Sequence, residues 1–132
     1  GTGDLDTRAI TAFYIDAALE PDGAAVAQAA ASASDNPSSG NFSATSDTVV
    51  LLGALTVSHN ATSPITDVTQ DPNFESFIDT ETSVSGTGGG GDDRRIFMGS
   101  RSEQGEETIA YQPTLSDVRF WVCGLAGYKE VT

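Results

Sequence analysis

Ten consecutive residues, Thr48 to Val57 (TVVLLGALTV), carry no charge and are almost wholly apolar apart from Gly53. In a strand, successive side chains point to opposite sides. A run apolar at both odd and even positions therefore has two faces to keep from water, which places it in the middle of a sandwich.

The rest of the chain supplies partners of the same kind. Ala9 to Ile15 (AITAFYI) is apolar and aromatic over one strand length, and Glu20-Pro21-Asp22-Gly23 follows it as a turn signal. Ala24 to Ser34 (AAVAQAAASAS) has the alanines of a helix but lacks Leu or Ile at three-and-four spacing. Strand or extended chain is the preferred reading there. Asp35 to Gly40 is a loop, and Ser58 to Asn73 a long connection holding at most a short strand. Phe74 to Val84 alternates, with Phe74, Ser76, Ile78 and Thr80 expected on one face and Glu75, Phe77, Asp79 and Glu81 on the other. Ser85 to Asp93 holds four consecutive glycines, whose ordering costs the most backbone entropy, and is expected to be a flexible hairpin tip. Arg95 to Gly99, Glu107 to Gln112 and Val118 to Tyr128 read as three further strands. No repeat is evident.

At least five strands spaced by turn signals, with no convincing helix, predict an all-β fold, an antiparallel β-sandwich or jelly roll. A chain of 132 residues has room for one such domain. Residues 1–132 are expected to form it, with residues 1–8 as a flexible N-terminal arm. The sequence opens on glycine rather than methionine, which fits a processed product or a piece of a longer chain.

Nineteen carboxylates face one lysine, Lys129, and five arginines, giving a formal charge of −13. A polyanion repels phosphate backbones and anionic lipid, so neither nucleic acid nor a membrane is an expected partner. No apolar stretch reaches the roughly 18 residues of a spanning helix. Acidity with almost no lysine also suits salty water, where a Debye length of about 3 Å at 1 M screens self-repulsion; an ordinary acidic, solvated surface is the preferred reading.

Little in the sequence points to catalysis. His59 is the only histidine and stands in a loop-like Ser-His-Asn-Ala-Thr context, which suits a surface residue. Cys123 is the only cysteine, so no intrachain disulfide exists, and its apolar setting (FWVCGL) suits a buried, inert thiol. No nucleophile-elbow, zincin or P-loop pattern occurs, and many carboxylate pairs arise by chance among nineteen. No enzyme activity and no cofactor are expected. Calcium is the one ion the composition would admit, with Asp92 and Asp93, or Asp67 and Asp71, as candidate ligands, although neither pair has the spacing of a calcium loop. Asn41-Phe-Ser43 and Asn60-Ala-Thr62 match the glycan acceptor triplet. Phe120, Trp121, Tyr111 and Tyr128 offer a sugar-stacking platform on one reading; on the other, preferred for Trp121, they belong to the core.

The succession of an apolar strand (AFYI), an Ala/Ser/Thr-rich stretch, TSDTVVLLGALTV, a glycine-rich loop, RIFMG, EETIAY and a closing DVRFWVCGLAGYKE resembles β-sandwich domains of tailed-phage and related virion structural proteins. The resemblance spans about Ala9 to Tyr128 and is positional, without an invariant motif. It implies a capsid-decoration, head-fibre or tail-associated protein at the virion surface or otherwise extracellular. Its partners would be copies of itself, as a trimer or larger, or the major capsid or another virion protein. A carbohydrate- or ligand-binding module and a cell-surface filament or adhesin subunit are the alternative expectations.

Overall fold

The run that is apolar on both sides becomes the longest strand and lies inside the main sheet. The computed structural model describes residues 18–59, 68–81, 93–102 and 105–131, and among these it is all-β with no helix. The strands are β1 (Leu19–Pro21), β2 (Val26–Ala29), β3 (Phe42–Ala44), β4 (Thr48–His59), β5 (Val68–Thr69), β6 (Glu75–Glu81), β7 (Asp93–Ser102), β8 (Glu107–Ile109), β9 (Thr114–Leu115) and β10 (Trp121–Glu130). A six-stranded antiparallel sheet runs β1-β10-β4-β7-β6, with β2 also pairing β10. Two short ladders, β3 with β8 and β5 with β9, complete a sandwich-like arrangement.

One face of the large sheet is the inner face of the core. Leu51, Leu55 and Val57 of β4, Phe97 of β7, and Trp121, Cys123 and Leu125 of β10 are buried on it, together with Phe42, Ala44, Ile109 and Leu115 from the short ladders and Phe74 and Tyr111 from connections. Trp121 donates its indole N–H to Ser34 Oγ at 2.8 Å, which satisfies that side chain's one polar atom.

Glycines on this inner face act as seats for the side chains above them. A Cβ at Gly53 would lie 2.6 Å from Cδ1 and Cδ2 of Tyr111; one at Gly127 would lie 2.5 Å from Cζ of Phe42; one at Gly99 would meet Gln70 Nε2 at 2.6 Å. Their missing side chains let bulky groups approach the strand backbone.

β1 and β2 form one edge in two pieces. Between them Asp22 turns inward and Gly23 adopts a φ of +83°, open to glycine without strain. Asp22 is 6% exposed; its N–H donates to Gly127 O at 2.9 Å, and its Oδ2 accepts from the hydroxyls of Thr45, at 2.7 Å, and Thr48. At the other edge the register of β6 on β7 shifts between Ser76 and Ile78. Ser76 pairs with Gly99 on the inner face, whereas Ile78 pairs with Met98 on the outer one. The face shared by Phe74, Ser76 and Ile78 in the sequence reading is therefore not shared in the fold, because an extra residue flips all that follows.

The extended reading of 24–34 holds in β2; Ser58 and His59, expected to open the long connection, instead end β4, and the described residues 68–73 carry only β5. The expected 1–8 arm, the 9–15 strand, and the 85–92 part of the expected glycine-rich tip lie outside the described residues.

Candidate association surface

Alternation along β4 leaves Val50, Leu52, Ala54 and Thr56 on the face opposite the core. Strand register extends each into a row across the sheet. Ala54 lies opposite Gly124 and Met98, which in turn face Ala27 and Ile78. Leu52 lies opposite Ala126 and Ser100, with Glu75 beyond; Val50 opposite Tyr128 and Ser102; and Thr56 opposite Val122 and Ile96.

Across these rows the described side chains include no lysine, arginine or histidine, and a single carboxylate, Glu75, at the edge. In a chain of net charge −13 that neutrality stands out from the rest of the surface. Val122 is 53% exposed, Val50, Leu52, Ala54, Ile96, Ala126 and Tyr128 are half-buried, and Met98 is buried, only 9% exposed. Leu52, Ala54, Met98, Gly124, Ala126 and Tyr128 help line a shallow apolar depression of about 360 Å³. It lacks the convergent polar groups that orient a substrate in a catalytic pocket.

Elsewhere the described cations meet carboxylates: Arg95 and Asp79 at 2.7 Å, Arg101 and Glu107 at 2.5 Å, Arg119 and Asp117 at 2.8 Å, and Lys129 and Glu20 at 3.7 Å. A hollow lined by Glu20, Asp47, Lys129 and Glu130 is acidic and open.

The residues singled out in the sequence scatter. Asp71 is buried, and its carboxylate staples the loop it belongs to: Oδ1 accepts from Asn73 N at 2.9 Å, and Oδ2 accepts from Gln112 N at 2.8 Å. Those bonds give it a structural task. Asp67 and Asp92 lie outside the described residues, as do the side chains of Asp93, which opens β7, and of His59, whose backbone pairs with it. Among the described residues no three His, Cys, Asp or Glu side chains gather as a metal site would need.

The four aromatic residues do not form one platform. Tyr111 and Trp121 are core, Phe120 is 57% exposed, and Tyr128 belongs to the outer face. Cys123 is fully buried and its thiol is pushed up to about 12, first by burial and then by the nearby Asp71 charge. A thiol so held is neutral at physiological pH and a poor nucleophile. Asn41 is exposed while Phe42 beside it is core; Asn60 lies outside the described residues.

The sequence signals the outer face in β10 as well as in β4. In WVCGLAGYKE both alternating sets, Trp121-Cys123-Leu125 and Val122-Gly124-Ala126-Tyr128, lack charge, so β10 shares the two-sided apolarity of β4. Compared with known proteins, the chain matches no family model, no curated protein and no solved structure.

Proposed function

We propose that this chain is a non-enzymatic structural domain that works by assembly, most specifically a capsid-decoration or other surface component of a virion. The observation that carries the reading is the uncharged apolar outer face of the six-stranded sheet in a strongly acidic chain. A contiguous apolar patch on a sheet costs solubility unless something covers it, and covered patches of this kind are interaction sites. The succession of strands that resembles virion sandwich domains supports the choice of setting. The buried, neutral Cys123 and the stapled Asp71 supply no reactive group to a cleft.

Light scattering of the purified chain at low and molar salt, with calcium and with chelator, tests this. A defined oligomer at either salt, followed by regular particles in the electron microscope, is the expected result. A monomer at every salt and protein concentration sinks the assembly reading and turns attention to a ligand-binding module, which a glycan screen would then address.

A further inference from the structure

We propose that the half of the outer face nearest Ala18 is the docking site of the chain's own apolar run Ala9–Ile15, which lies over Ala126, Leu52 and Ala54 and covers Met98. This placement goes beyond the assembly reading and does not rest on it, because the other end of the face, where Val122 and Phe120 are exposed, stays open to a second chain.

Burial calls for a cover. Met98 points out of the sheet on the side opposite the core, yet it is as buried as Trp121 inside the core. Its neighbours on that face, Ala54 and Ile78 across the ladders and Ile96 and Ser100 along β7, stand beside it and are themselves half-buried. Side chains on one sheet face stand roughly parallel, so such neighbours shade the flanks of a methionine and leave its end in water. The end of Met98 is therefore covered from above the sheet. The cover also has a side. Val122 and Thr56 are exposed, whereas in the rows of Ala54, Leu52 and Val50 the side chains of β4 and β10 are half-buried. Those rows lead toward Ala18, whose carbonyl accepts from Val131 N at 3.0 Å just past the end of β10.

Apolarity selects the segment, and reach allows it. Of the stretches outside the described residues, 60–67 holds one large apolar residue, Ile65, and 82–92 holds one, Val84, whereas 1–17 holds Leu5, Ile10, Phe13, Tyr14 and Ile15. Ala9–Ile15 carries no charge, which suits rows whose one carboxylate is Glu75 at the edge. Met98 stands in the row of Gly124, seven positions along from Val131, and β7 is three strands across from β1. At about 3.4 Å per position and about 4.8 Å per strand, that is roughly 28 Å from Ala18. Nine residues of extended chain reach about 30 Å.

The test reads Met98, the only methionine, in the full chain. In dilute peroxide Met98 is expected to form its sulfoxide at least about tenfold faster in Phe13→Ser/Ile15→Ser than in the unaltered chain, since oxidation follows exposure, while circular dichroism stays that of the fold. Equal rates with the fold intact overturn the inference. So does protection of Met98 that appears only at high protein concentration, which would come from a second chain. A crosslink answers the same question without removing apolar side chains. Ala12→Cys/Ala54→Cys is expected to be joined within one chain by a short bis-maleimide, with Cys123 unlabelled in its buried site. Ala12→Cys/Thr108→Cys, whose second cysteine is exposed on β8 at the opposite face, is expected to stay unjoined. Crosslinks that form equally at both sites, or only between chains, overturn the placement, whatever the solution mass says of assembly.

Discussion

The ring of Tyr111 lies flat against the backbone of Gly53, in the space a Cβ there would occupy, 2.6 Å from Cδ1 and Cδ2. Tyr111 has no exposed surface, and its ring meets that of Phe74 edge-on with centroids 4.9 Å apart. Gly53→Ala is therefore expected to cost about 1–3 kcal/mol and Gly53→Val more, by overpacking. Denaturant midpoints measure it. In a Tyr111→Ala background the same glycine change is expected to cost markedly less, and full additivity would show that the two residues do not share this space.

Asp22 makes stability depend on acid. The hydroxyl of Thr48, then that of Thr45, holds its carboxyl below the usual carboxylate range, against the opposing effect of burial. A depressed folded-state value means that the contribution is fully present above the unfolded value of about 4 and is lost as pH falls below it. Asp22→Asn is expected to lower Tm clearly at pH 6 and by much less below pH 3. A penalty equal at both values would mean that the charge of Asp22 does not hold the turn.

Cys123 acts at the other end of the scale. Its thiol titrates near 12 in the fold and near 8.5 when unfolded, so its contribution is complete below about 8.5 and is lost as pH rises toward 12. At pH 8 the native chain is expected to resist iodoacetamide and to react once urea unfolds it. Replacement by alanine is expected to leave association unchanged, since Cys123 faces the core; a change in solution mass would contradict that.

Salt is expected to strengthen association. Screening shortens from about 30 Å at 0.01 M to about 3 Å at 1 M, which removes repulsion between acidic copies while apolar contact remains. Dissociation constants measured by sedimentation are expected to fall at least about tenfold over that range. Weakening with salt would point to ion pairs as the binding contacts.

The central strand, the strand at Arg95–Gly99 and the core role of Trp121 were legible because each follows from unbroken or alternating apolarity. The short ladders were not. β3 and β8 hold three residues each and pair Phe42 with Ile109, a separation no local pattern encodes. The shift between Ser76 and Ile78 was equally hidden, since an even alternation hides an inserted residue. Tyr111 stood in a polar segment (ETIAYQ), and its burial depends on Gly53 more than fifty positions away. The outer face was readable in β4, yet only the register joins Ala27, Gly124 and Met98 to it.

Both margins of the large sheet are interrupted, by the break between Pro21 and Val26 on one side and by the shifted register at Ser76 on the other. Open-ended growth, in which strand after strand is added along a regular ladder, needs an uninterrupted row of free amide and carbonyl groups, and among the described residues neither margin offers one. At the described margins, addition of further strands to a regular ladder is thus hindered, and sideways growth into fibrils is disfavoured there.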